Sequence, residues 1–237
     1  MPNNTITLQK LIDRVRQRAD MEGTTFVTDT EVVDYINVAM AELHDILVQK
    51  YEDYYVSSTT YTLPTDNPGT LPSDFYKSLG VDFDSGGTTH RLRRFSFQER
   101  NMLNAPALVA GRVGNTYYAI QGSQIKFIPS TTVSGTVTLY YVPESQQFDA
   151  SGNKDTQTVL SVAPQVARGY EEYIVVDAAI KCLLKEESDI RPHMAQKQGL
   201  LRRIEEAAGK RDAGESYAIT DVDSGTAIDG LLGHRGA

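Results

Sequence analysis

The feature that most constrains this chain is a near-unbroken apolar segment over residues 173–184, interrupted only by Asp177 and Lys181. A helix that is apolar almost all round has to be buried between other elements. The segment is also too short, and too charged, for the roughly 20 apolar residues that cross a membrane. It predicts a helix over about 169–187 that runs into the charged knot Lys185-Glu186-Glu187-Ser188-Asp189. Asp177 and Lys181 stand four apart with the acid first, a pairing that contributes about 0.2–0.5 kcal/mol where it is exposed. A second helix is predicted from Ser188 or Asp189, with Pro192 early, where a missing N–H is tolerated. Met194, Leu200, Leu201 and Ile204 are expected to face inward, and Glu206 and Lys210 outward.

The covering partners lie at the other end of the chain. Leu8, Leu11, Ile12, Val15 and Ala19 recur at helical spacing behind Thr7, a suitable N-cap. Thr28-Asp29-Thr30-Glu31 reads as a capping box. It opens a longer helix with the stripe Val32, Tyr35, Ile36, Ala39, Met40, Leu43, Leu47 and Tyr51, ending near Asp53. Neither terminal pair has enough apolar partners alone, so the two pairs are expected to pack together.

Between them the period changes to two. Leu79, Val81 and Phe83, then Ile125 and Phe127, then Val137, Leu139 and Tyr141 alternate with polar residues, as in strands. Ser85-Gly86-Gly87-Thr88 and Gln121-Gly122-Ser123 read as hairpin turns. Ser96-Phe97-Gln98-Glu99 reads as a second capping box, with a short helix from about Phe97 to Leu103. Residues 144–164 read as polar loop. The expected fold is α+β: a discontinuous four-helix bundle with an inserted β-rich domain, antiparallel sheet or barrel-like, and an extended C-terminal tail. The expected boundaries are 1–55 and 144–211 for the helical part, 56–143 for the insertion and 212–237 for the tail.

Composition narrows the chemistry. The net charge of -8 argues against a surface that binds nucleic acid throughout, because neutralising phosphates requires Lys and Arg. The lone Cys182 sits among apolar residues and reads as a buried thiol. The start Met1-Pro2-Asn3-Asn4 lacks the pattern of a signal peptide. The four histidines, His44, His90, His193 and His234, have no metal-ligand spacing. The acidic pairs Glu52-Asp53, Glu171-Glu172, Glu186-Glu187 and Glu205-Glu206 point about 100° apart when helical, so adjacent members cannot share a site.

Two features favour partner binding. Arg91, Arg93 and Arg94 form the densest basic cluster, followed by Phe95, Phe97 and Arg100. Basic and aromatic interleaving suits a nucleic acid, but Arg facing carboxylates at a protein interface is the better-supported reading. The acidic tail carries apolar anchors at Tyr217, Ile219, Val222, Ile228, Leu231 and Leu232. Such a tail is either a disordered segment or one that orders on a partner.

Several stretches, taken in order, resemble the head-to-tail adaptor (connector) proteins of tailed bacteriophages, especially short-tailed ones. They are Leu11-Ile12-Asp13-Arg14-Val15-Arg16 with Ala19-Asp20-Met21-Glu22, Phe26-Val27-Thr28-Asp29, and Leu71-Pro72-Ser73-Asp74-Phe75-Tyr76-Lys77. They continue in Leu92-Arg93-Arg94-Phe95 with Glu99-Arg100-Asn101, in Lys185-Glu186-Glu187-Ser188-Asp189, and from Arg203-Ile204-Glu205 to Arg211-Asp212-Ala213-Gly214. The resemblance implies a virion structural protein without cofactor, metal or catalytic residues. Such adaptors form a ring, usually of twelve copies, under the portal protein at the head–tail junction. The ring extends the DNA channel and presents a platform to tail proteins, and double-stranded DNA passes without specific binding. Assembly takes place in the host cytoplasm and involves no membrane. In that family the C-terminal tail reaches the portal, which makes the six tail anchors candidate portal contacts. Arg91, Arg93 and Arg94 become candidate subunit or tail-protein contacts. The alternatives are another tail or stopper component, or a virion-associated cell-wall glycosidase, which needs two converging carboxyls.

Overall fold

The helix starts are set by side chains that satisfy orphan backbone donors. Thr7 accepts from the Lys10 amide at 3.3 Å and opens α1, Leu8–Arg18. The capping box forms: the Glu31 amide donates to the Thr28 hydroxyl at 3.3 Å, and the Thr28 amide donates to the Glu31 carboxylate at 2.8 Å. It opens α2, Asp29–Lys50. The computed structural model describes residues 6–23, 26–104, 116–130, 133–208 and 210. Within these the later helices are α3, Arg100–Leu103, α4, Glu171–Lys185, and α5, Arg191–Ala208. The chain is therefore mixed α+β, with five helices among the described residues.

The apolar stripes of α1, α2 and α4 meet in one cluster, which Ile204 and Ala208 of α5 join. Tyr173, Ile174, Val176 and Ala178 of α4 are buried, as the all-round apolarity of the segment required. The Asp177–Lys181 pair forms, but not as an exposed one: the Asp177 side chain is only 4 % exposed and bonds both Lys181 and Lys197. Met194 faces solvent more than expected, and Glu206 pairs with Arg202.

Among the described residues there are eight strands: β1, Ser57–Leu63; β2, Gly69–Thr70; β3, Phe75–Ser85; β4, Thr88–Arg91; β5, Arg93–Arg94; β6, Tyr117–Gln121; β7, Gln124–Ile128; and β8, Gly135–Pro143. They form two four-stranded sheets, ordered β1-β8-β3-β4 and β2-β7-β6-β5. The barrel-like alternative is thereby corrected, because each sheet stays open with two edges. The chain leaves β4 in one sheet and enters β5 in the other, with only Leu92 between. Pairing is antiparallel except for β5 on β6, which is parallel. Gly86 and Gly87 take φ of 66° and 86° at the β3–β4 turn, a conformation that glycine adopts without strain. Apolar side chains from both sheets, including Val81, Leu139, Ile125 and Phe127, form a second cluster.

Residues 144–164 have loop backbone but are packed as a strap. Phe148, Val159 and Val162 are buried in the helical cluster. Asn37 of α2 clasps the Phe148 backbone in both directions, donating to its carbonyl at 3.0 Å and accepting from its amide at 2.8 Å.

Candidate interaction surfaces

The basic cluster sits where the chain passes from one sheet to the other. Leu92 and Phe95 point inward and are 5 % and 3 % exposed, while Arg91, Arg93 and Arg94 between and beside them face solvent. Arg93 and Arg94 sit on β5, an edge strand, opposite Tyr117 and Tyr118. Arg91 ends β4, where Asp82 lies across the ladder. Among the described residues none of the three arginines forms an ion pair, whereas Arg16, Arg18, Lys154, Lys185 and Lys197 all do.

The second capping box forms only by half: the Ser96 amide donates to the Glu99 carboxylate at 3.3 Å, but the Glu99 amide bonds the Ser96 carbonyl, and α3 starts at Arg100, later than the expected Phe97 and without a side-chain cap. The Ser96 hydroxyl donates to the Glu99 carboxylate at 2.8 Å, and α3 follows. Arg100 donates to the Phe97 carbonyl at 2.7 Å and lays its guanidinium 4.0 Å from the centre of the Phe97 ring. Arg94, Phe95, Ser96 and Phe97 line one side of an open groove of about 580 Å³, with Ala119, Ile120 and Gln121 of β6 on the other. The sequence brought these residues together only as far as their spacing; the parallel β5–β6 pairing that builds the groove has no local signal.

Two buried polar clusters were not found from the sequence. On the helical side, Lys197 of α5 donates to Asp177 at 2.8 Å and to Glu42 at 2.9 Å, with its ammonium 5.5 Å from the centre of the Tyr173 ring. Burial works against the charged ammonium, but the two carboxylates outweigh it and hold the Lys197 pKa above the ordinary lysine value. Where the helices meet the sheet, His44 is 2 % exposed and stacks on Tyr55, with ring centres 5.3 Å apart. Its Nε2 lies 3.0 Å from the Pro143 carbonyl, and Tyr76 of β3 donates to Asp45 at 2.9 Å. Burial pushes the His44 pKa down, only partly offset by Pro143 and Asp45. Because a carbonyl can only accept, the Nε2–H donates to the last residue of β8.

Three of the acidic pairs have a carboxylate that meets a cation at the surface. Glu172 bonds Arg18, Glu205 faces Lys50 at 3.4 Å, and Glu52 faces Lys77 at 2.7 Å. Among the described residues no group of three or more His, Cys, Asp or Glu is placed to hold a metal ion, and no helix is long and apolar enough to cross a membrane. The tail anchors Tyr217, Ile219, Val222, Ile228, Leu231 and Leu232 lie outside the described residues. A family model described as SU10 adaptor protein matches residues 6–222. No curated protein matches the sequence.

Proposed function

We propose a structural role in a bacteriophage particle for this chain, which belongs to the SU10 adaptor protein family. The observation that carries the reading is the extent of that match, residues 6–222, which takes in both terminal helix pairs, the strands between them and the start of the C-terminal segment. In this reading the protein is an adaptor between portal and tail. Copies of it form a ring, with twelve as the working number, and the ring continues the DNA channel at the head–tail junction. Residues 1–55 and 144–211 make a four-helix body, 56–143 an inserted sheet module, and 212–237 a tail that reaches the portal through Tyr217, Ile219, Val222, Ile228, Leu231 and Leu232. Arg91, Arg93 and Arg94 face a neighbouring copy or a tail protein. The net charge of -8 suits a conduit to which DNA must not adhere. The chain acts as a fastener and performs no reaction.

The test is assembly on isolated portal rings. The full chain is expected to sediment with the rings and to appear in micrographs as a second ring beneath them. A form ending at Asp212 is expected to stay in the supernatant. Binding of that shortened form at full strength would remove the tail from the portal contact, and failure of the full chain to bind would remove the adaptor reading itself.

A further inference from the structure

We propose that the groove beside β5 is a docking site for an extended, carboxylate-rich protein segment carrying an apolar anchor. The site deepens the adaptor reading by naming the chemistry of one partner.

Four guanidinium groups, those of Arg91, Arg93, Arg94 and Arg100, fall within ten residues of a chain whose net charge is -8. Asp82 across the ladder from Arg91 and Glu99 beside α3 are the nearby acids, and neither forms an ion pair with these arginines among the described residues. Like charges close together without an acidic partner repel, so an anionic group docking beside Arg93 and Arg94 gains from them. Arg is also the side chain best suited to a carboxylate, which it can grip with two parallel hydrogen bonds.

The apolar part of the site decides between kinds of anion. Phe97 is 63 % exposed in a groove that Phe95 and Ala119 also line, and Met102 of the adjoining α3 is 56 % exposed. Arg, aromatic and Met side chains together are the composition of protein-binding surfaces. A phosphate backbone offers nothing to Phe97 or Met102. Arg100 already covers one face of the Phe97 ring at 4.0 Å, so that face is not open to a stacked base. The position of β5 as an edge strand among the described residues adds a backbone component, because an extended segment can pair with such an edge while its side chains enter the groove. The segment that fits has carboxylates in register with Arg93 and Arg94 and one large apolar residue reaching Phe97.

The test uses the full chain and fluorescein-labelled peptides read by anisotropy at 150 mM salt. One probe is an acidic heptapeptide, Asp-Glu-Asp-Phe-Asp-Glu-Asp, and the second replaces its Phe by Gly. The Phe peptide is expected to bind at least fivefold more tightly than the Gly peptide. Phe97→Ala is expected to erase that preference, and Arg93→Glu with Arg94→Glu to weaken both peptides tenfold or more. Arg93→Gln with Arg94→Gln, a milder pair, is expected to weaken them less while keeping the wild-type melting temperature. Equal binding of both peptides, or binding unchanged by the Glu substitutions, would overturn the proposal. So would a 20-base-pair DNA duplex that displaces the Phe peptide at lower concentration than unlabelled peptide does, which would mark a nucleic-acid surface. Displacement by a synthetic peptide of residues 213–237 at lower concentration than the Phe peptide itself would assign the groove to the chain's own C-terminal segment and overturn it equally. These outcomes are independent of portal binding, so the docking site can fail while the adaptor reading stands.

Discussion

Asp177 shows how one residue can both interrupt and organise a buried helix. An unpaired carboxylate in an apolar core is strongly unfavourable. Here Lys181 from the same helix and Lys197 from α5 neutralise it, and Glu42 from α2 shares Lys197, so one network ties three helices. Removing one member of such a pair costs about 3–5 kcal/mol, while replacing both by apolar side chains is close to neutral. Asp177→Ala is therefore expected to lower the urea midpoint sharply, and Asp177→Leu combined with Lys197→Met to recover most of the loss. Cys182, one turn further along α4, reports on the same core. It is 1 % exposed, and burial pushes its thiol pKa up to about 11. Native protein at pH 8 is expected to resist iodoacetamide and to react fully in denaturant; mass spectrometry distinguishes the two, and rapid native labelling would show that α4 is not held closed.

At the scale of elements, local signals carried most of what could be read. The Thr28 capping box, the Gly86–Gly87 turn and the amphipathic stripes are interactions within a few residues, and each formed where its residues stood. Long-range partners carry no such signal. The strap over 144–164 reads as loop because its buried anchors, Phe148, Val159 and Val162, are separated by the polar, turn-forming run Asp149-Ala150-Ser151-Gly152-Asn153 and the residues after it. The alternation in β3 fades toward its start because the register with β8 shifts between Phe75 and Lys77 and again between Ser78 and Gly80. The basic half of the candidate docking site was legible in the run from Arg91 to Arg100, but its far wall on β6 was not. The α2 cap supports a prediction of its own. Lys185 first, and then the Thr28 backbone, hold the Glu31 carboxyl down to about 2, against an ordinary value of 4.5. Because the folded value is the lower one, the resulting stability is fully present above pH 4.5 and is lost as pH falls toward 2. Glu31→Gln is expected to reduce the melting temperature at pH 6 and to flatten its decline between pH 4.5 and 2. Thr28→Ala, which removes the other half of the cap, is expected to cost about 1 kcal/mol. An acid limb as steep in Glu31→Gln as in the parent chain would place that proton uptake elsewhere.

The molecule as a whole has two main apolar clusters and a polar joint. The helical cluster is assembled from residues near both ends of the chain, and the sheet cluster from the residues between. Where they meet, contacts are specific rather than extensive: His44 on Pro143 and Tyr55, Tyr76 on Asp45, and Lys77 on Glu52. A joint of that kind can fix an angle without merging two cores into one cooperative unit, which is what a platform with a projecting contact surface requires. Leu139 lies at the centre of the sheet cluster, fully buried on β8 between β1 and β3. Leu139→Ala opens a cavity there at a cost of about 2–5 kcal/mol. If the two clusters unfold separately, that loss falls on the sheet module alone, because exchange through local opening reports the stability of each cooperative unit. Amide hydrogen exchange is then expected to accelerate across β1, β3 and β8 while the centres of α2 and α4 keep their protection. Equal acceleration in α4 would mean that the helices and sheets share one unfolding transition, and the sheet surface could not then move as a unit against the helical body.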